Sequence, residues 1–366
     1  MLFILFKAPA AHVVAMNYRL LGRSGLKVSP LGLGAMTFGT DWGWGAARDT
    51  AFALMDRFFE RGGNLLDTAD GYTAGTSEQM IGEYLQGRGN RDRVVLATKY
   101  TFNASPGDPN AGGNGRKNLY RALEGSLRRL KTDYVDLYWM HAWDGLTPAE
   151  EVLRTMDDLV RAGKVRYFGL SDVPAWYFGR MQTLAESRGL ERVAALQLEY
   201  SLVERNIERE HVPAALELGA GLVPWSPLAS GLLSGKYQRG ATASEPGGAG
   251  RLQAIKGSGN PGFLKLFTER NWKIVDALVA VSRELGRPPA QVALNWVTRQ
   301  PAVASTLVGA TKLEQLDDNL KALDFELPAA HAARLDEVSR PKTVHPYHFF
   351  EPTMRAMLTG GVEVTR

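Results

Sequence analysis

Asp67 and Tyr72 stand five positions apart in Asn64-Leu-Leu-Asp-Thr-Ala-Asp-Gly-Tyr72. The stretch reads as a short buried strand that ends in a carboxylate, followed by a tight turn carrying a phenol. A strand end is rigid and the loop after it is exposed, so chemistry can be presented there. Alone, an Asp in this place is most often a cap or turn residue. Lys99 ends the run Val94-Val-Leu-Ala-Thr-Lys99, and His141 follows Val135-Asp-Leu-Tyr-Trp-Met140. Each has a bland reading too, as a surface lysine and a satisfied polar histidine. Lys99, however, follows five apolar or small residues and is expected to point inward. A buried ammonium needs a counter-ion, and Asp67 on a neighbouring strand can be one.

Together the four residues make a chemical set. A phenol titrates near about 10 and is a poor proton donor at neutral pH. A neighbouring ammonium favours its ionised form, which suits a general acid. A carbonyl oxygen gaining negative charge needs donors aimed at it, and Tyr72 and His141 can supply them. The side chains lack an electron source, which argues for a bound cofactor.

These groups converge only if the chain brings strand ends to one face. From Leu31 onward apolar strands alternate with amphipathic helices. Strands are expected at 31–36, 64–67, 94–99, 135–140, 165–170, 194–198, 221–225 and 304–308. Helices are expected at 50–61, 77–85, 118–130, 148–162, 176–187, 208–218, 269–285, 290–299, 313–323 and 328–339. Eight strands, each followed by helix, close a (β/α)8 TIM barrel. An open doubly wound sheet is the rival, but Leu31-Gly-Leu-Gly-Ala-Met36 lacks the third glycine of a dinucleotide fingerprint, position 37 being Thr. The expected organisation is an extension at 1–16, a single-domain barrel at 17–340 that opens with a hairpin around Gly22-Arg-Ser-Gly25, and a tail at 341–366. The Gly-, Ser- and Pro-rich interruption at 234–267 is expected to be a mobile cover over the mouth, with a plain linker as the alternative. The aromatic tail His345–Phe350 is expected either over the mouth or along the barrel side.

Composition narrows the function. The chain has 366 residues, 45% of them hydrophobic, no cysteine and six histidines. A thiolate site and a disulfide framework are excluded, and the histidines form no HxxxH pair, so no metal is expected. The net charge of +4 is small and spread out, which gives no support to nucleic-acid binding. No run approaches the ~18 apolar residues of a membrane span. The start, Met1 to Ala15, lacks the basic n-region of a secretory signal, so a cytoplasmic location is expected.

The strand-two, lysine and histidine motifs, in this order and on these strands, resemble the aldo-keto reductase superfamily from about Tyr18 to Leu323. Trp225-Ser-Pro-Leu-Ala-Ser-Gly-Leu-Leu-Ser-Gly-Lys-Tyr237 resembles the branch of aryl-alcohol dehydrogenase-like reductases and potassium-channel β-subunits. The resemblance implies an NADPH (NADP+)-dependent reduction of an aldehyde or ketone. Tyr72 would donate the proton, Lys99 and Asp67 would tune it, and His141 would orient the carbonyl. Ser171, Asp172 and Gln197 would hold the carboxamide, with Met36 nearby, and Trp225 would lie against the nicotinamide. Ser226, Pro227, Leu228, Ala229, Ser230 and Lys236 would follow the pyrophosphate. Gly309, Thr311, Gln315, Asp318 and Asn319 would meet the adenosine end. Two positions depart from the pattern. Residue 172 is Asp where Asn is common, and residue 315 is Gln where many relatives place an Arg for the 2′-phosphate. Lys312 or Arg251 would have to replace that charge, and NADH remains an alternative. Trp42, Trp44, Tyr100, Phe102, Trp143 and Trp176 suit a bulky or aromatic carbonyl. Two other readings stay open: a cofactor-holding regulator of a partner, and an aldolase-type barrel using Lys99 as a Schiff-base nucleophile.

Overall fold

A computed structural model describes residues 16–237, 239 and 266–362. Strands β1 (Arg19–Leu20) and β2 (Lys27–Val28) form an antiparallel hairpin. Its turn needs glycine at position 22: φ is +58°, and a Cβ there would stand 2.5 Å from the Gly219 carbonyl oxygen. Arg19 donates to the carbonyl oxygens of Thr298 and Val303 at 2.5 and 3.0 Å. The hairpin thereby plugs the end of the barrel opposite the strands' C-termini.

Eight parallel strands follow: β3 (Leu31–Gly34), β4 (Leu65–Asp67), β5 (Val95–Tyr100), β6 (Val135–Met140), β7 (Val165–Ser171), β8 (Ala195–Gln197), β9 (Gly221–Leu222) and β10 (Thr306–Val308). From β3 to β9 each pairs with its neighbour in sequence, and β10 pairs with β3. A parallel bridge between Leu222 and Val303 closes the circle. Leu222 N–H donates to Ala302 O and Ala304 N–H to Leu222 O, both at 2.8 Å. The fold is a (β/α)8 barrel.

Strand periodicity sorts the side chains between two cores. Leu65, Val95, Ala97, Leu137 and Trp139 fill the interior, with Leu21 and Val28 of the hairpin beneath them. Leu66, Leu96 and Tyr138, one residue out of phase, face the helices. The same alternation carries Asp67 and Lys99 inward, two residues beyond Leu65 and Ala97. Strands apolar on both faces are what a sheet covered on both sides requires.

The helices match the apolar periodicity to within a few residues: α1 (Arg48–Glu60), α2 (Thr76–Arg88), α3 (Arg116–Leu130), α4 (Ala149–Arg161), α5 (Ala175–Arg188) and α6 (His211–Leu218). Helices Glu269–Leu285, Pro289–Thr298, Leu313–Leu320 and Ala329–Ser339 complete the barrel wall. Several boundaries differ from expectation by a few residues, and three of them have a local cause. The first barrel strand stops at Gly34, because Ala35–Thr37 turn into a 3-10 helix. The seventh, β9, covers two residues rather than five: Pro224 has no N–H to donate, and Trp225 is held only by an isolated bridge to Glu199. Helix α6 starts at His211, after a 3-10 turn at Asn206–Glu208. That start leaves Pro213 in the first turn, where a missing N–H does no harm.

Most of the interruption at 234–267, including Arg251, lies outside the described residues. The aromatic tail is anchored at the start of α6. Tyr347 donates its hydroxyl to the Glu210 carboxylate, and the Arg209 guanidinium lies 5.9 Å from the Tyr347 ring centre. No helix among the described residues is long and apolar enough to cross a membrane.

Candidate active site

The C-terminal ends of β4, β5 and β6 bring Asp67, Tyr72, Lys99 and His141 together. Lys99 is fully buried and Asp67 nearly so. The Lys99 ammonium is paired with the Asp67 carboxylate. It also donates to the Thr68 carbonyl at 2.8 Å and to the Tyr72 oxygen at 3.2 Å. Three donors meet three acceptors, which is the full capacity of an ammonium. Burial works against the Lys99 charge, but Asp67 and Tyr72 outweigh it and hold the group above the ordinary lysine range. Gln197, reaching across from β8, donates to the second Asp67 oxygen at 3.0 Å.

Tyr72 sits on a constrained turn. Thr73, Ala74 and Gly75 have φ of +47°, +54° and +96°. Thr73 donates to the Phe38 carbonyl at 2.8 Å and accepts from Ser77 N–H at 3.1 Å. These bonds tie the turn to the loop after β3 and to the start of α2. The His141 ring lies 5.8 Å from the Tyr72 ring, edge to face, and 4.7 Å from Phe102. Burial, and after it the Lys99 charge, hold the imidazole well below its ordinary range. His141 is therefore neutral near pH 7, with one ring N–H to donate.

Sequence reasoning missed how His141 is held. Its backbone N–H donates to Tyr100 O at 3.0 Å and to Thr101 Oγ1 at 3.2 Å. Thr101 has φ +130° and donates to Asn114 Oδ1 at 2.7 Å, while Asn114 donates to Ala142 O at 2.9 Å. The only local signal is the turn-forming run Gly112-Gly-Asn-Gly115.

Next to this group lies a second set from β7, β8 and the stretch after β9. Ser171 Oγ is buried and makes no hydrogen bond of good geometry, although it is near enough to the Asp172 carboxyl to act on it; the amide edge of a nicotinamide would satisfy it. Asp172 follows with φ +47° and accepts from the Trp225 indole N–H at 3.1 Å. Asp172 is exposed at the mouth, and neighbouring groups partly desolvate its carboxyl. Desolvation pushes it up to about 6, against the opposing pull of the indole bond and Lys99. Glu199 is pushed up to about 7 by burial, then by Glu204 and Asp172.

Beyond Trp225 the backbone turns repeatedly left-handed, at Ser226 (+54°), Ala229 (+48°), Ser230 (+55°) and Gly231 (+95°). Successive left-handed turns of this kind can form an anion-binding concavity, although the Ala229 and Gly231 N–H groups are bonded to Ser226 O and Leu228 O. Pro227 is buried and Leu228 half-buried within it. Lys236 folds back over this turn, its Nζ 3.2 Å from where a Gly231 Cβ would be. Thr37, beside Met36, donates to Ala310 O at 2.9 Å and so joins the loop after β3 to the end of β10. Gly309 and Thr311 follow β10, and Gln315 accepts from Thr311 N–H at 3.0 Å. Asp318 pairs with Lys321 at 3.0 Å, and Asn319 is buried. The buried Ser171 Oγ and the left-handed turns after Trp225 are chemically compatible with a dinucleotide.

A barrel with these residues at its mouth defines a class. Residues 30–340 match the model of the Aldo/keto reductase family, and the chain belongs to that family and is an oxidoreductase. It is 38% identical to an uncharacterized oxidoreductase, YrpG, of Bacillus subtilis over 88% of this chain and 96% of the relative. It is 34% identical to an aryl-alcohol dehydrogenase [NADP(+)] of Phanerodontia chrysosporium, over 89% of this chain and 86% of the relative. A norsolorinic acid reductase B of Dothistroma septosporum is 33% identical, over 93% and 86%.

Proposed function

We propose that the protein reduces an aromatic or bulky aldehyde or ketone to the alcohol, or runs the reverse reaction, with NADPH as the hydride source. The observation that carries the reading is the contact of the Lys99 ammonium with both Asp67 and the Tyr72 oxygen. The bound cofactor supplies the hydride. Tyr72 gives its proton to the carbonyl oxygen, and the Lys99 ammonium stabilises the phenolate that is left. Neutral His141, edge to face with Tyr72, donates a hydrogen bond to the same oxygen and fixes its direction. Asp67 keeps Lys99 charged, and Gln197 keeps Asp67 in place.

Two further features support the reading. Aromatic side chains lie beside the reacting pair: Trp42 is 6.5 Å from the Tyr72 ring and 6.0 Å from Trp44, and Phe102 is 4.7 Å from His141; Trp143 and Trp176 lie 5.5 Å from each other. Trp42, Phe102, Trp143 and Trp176 are exposed, ready to cover an aromatic substrate. Tyr100, by contrast, is buried against Tyr138 and belongs to the core. The preference for NADPH leans on the name of the Phanerodontia relative and on Lys312, exposed beside Gln315 at the start of the last barrel helix. The aldolase reading fails on Lys99 itself: a Schiff-base lysine must be freed of its proton, and this one is committed to three acceptors.

Tyr72→Phe tests the mechanism. Reduction of aromatic aldehydes should fall by at least about a hundredfold, the usual scale of a lost general acid. Fluorescence titration should find NADPH binding nearly unchanged. Strong residual turnover would assign the proton to another group.

A further inference from the structure

Asp172 is the one residue in the expected carboxamide set that brings a negative charge. It follows the orphaned Ser171 Oγ, it grips the indole N–H of Trp225, and its left-handed backbone fixes the direction of its side chain. We propose that Asp172 makes the cofactor site prefer the oxidised, positively charged nicotinamide over the neutral reduced one. The proposal rests on the NADPH-dependent reading of Proposed function, with the nicotinamide at Ser171 and Trp225 as the family resemblance implies.

The argument is electrostatic. Oxidised and reduced nicotinamide have nearly the same shape, so shape complementarity separates them poorly. They differ by one positive charge on the ring. Trp225 and Asp172 are joined by a hydrogen bond, so a ring seated along Trp225 is also seated beside the carboxylate. Glu199, bridged to Trp225 from the stretch after β8, adds a second carboxylate to the same neighbourhood. The charges facing Asp172 are Lys99 from β5, which draws against the effect, and Glu199, which adds to it. His141 from the end of β6 is neutral near pH 7. Water reaches Asp172 through the open mouth, and a bound cofactor would cover it, which strengthens the interaction. The proton donor and acceptor of the reduction remain Tyr72 and the substrate carbonyl. Asp172 acts only on the relative affinity of the two cofactor forms.

Asp172→Asn isolates the charge. An amide oxygen still accepts from Trp225, and Asn tolerates a left-handed backbone as well as Asp does. The measurement is the ratio of the NADPH to the NADP+ dissociation constant, from fluorescence titration at pH 7.5 and pH 5.0. In the natural protein this ratio should be about tenfold higher than in Asp172→Asn at pH 7.5. It should also fall at pH 5.0, where the Asp172 and Glu199 carboxyls both take up protons, and by more than the variant's ratio falls, since only Glu199 titrates there. A ratio that neither the substitution nor the pH changes would overturn the charge preference and leave the proposed function standing. Binding of neither form to the natural protein would overturn both. If Asp172→Asn alone fails to bind, Asp172→Ser, which also removes the charge, decides by the same ratio at pH 7.5.

Discussion

At the scale of single residues, charge and proton positions decide what the site can do. Lys99 and Asp67 were legible in the sequence because each is a charged residue at the end of an apolar strand, and period-two alternation sends both inward. The neutrality of His141 was not legible, since it comes from burial and from Lys99, on the adjacent strand. Its consequence is measurable. The folded imidazole is held below its ordinary value of about 6.5, so it stays neutral as pH falls through 6.5 and protonates only in more acidic solution. Nitrogen-detected NMR of the cofactor-free protein at pH 6 should show a single neutral tautomer for His141. A half-protonated ring at that pH would refute its role as a fixed neutral donor.

At the scale of elements, strands that aim the reactive groups are braced from outside the barrel. Glu78 of α2 is fully buried. It accepts from Thr98 of β5 at 2.5 Å and from Arg129 of α3 at 2.6 Å. One carboxylate thus locks two helices to the strand residue just before Lys99. Removing the arginine would leave that carboxylate buried without its cation. Arg129→Met should therefore destabilise the fold by about 3 kcal/mol, the scale found when one partner of a buried pair is deleted, as read by urea denaturation. A loss under about 1 kcal/mol would mean that Thr98 alone satisfies Glu78. The existence and order of these elements follow from hydrophobic periodicity. The bracing does not, because Glu78 and Arg129 are ordinary helix residues in sequence and meet only when α2 and α3 pack side by side. The shortened β9 was partly foreseeable from Pro224, whereas the left-handed turns at 226 and 229–231 follow from no periodic pattern.

At the scale of the whole molecule, the eightfold closure makes the site. In a ring of eight strands, β4 and β8 face each other across the full interior, so Asp67 and Gln197 meet despite a separation of 130 residues. The sequence offered both residues as site candidates, but their contact depends on strand number and closure, which spacing alone does not fix. Their hydrogen bond is a strut across the barrel. Contacts so distant in sequence carry the largest loop-closure cost and form late in folding. Species with the helices and early strands in place but the ring still open should have secondary structure and no turnover. In refolding from urea, recovery of carbonyl reductase activity should lag behind recovery of helical circular dichroism. Simultaneous recovery would mean that Asp67, Lys99 and Tyr72 are assembled before Gln197 arrives. The Asp67–Gln197 contact would then double as an assembly checkpoint, with catalytic competence withheld until the last strands have joined the first.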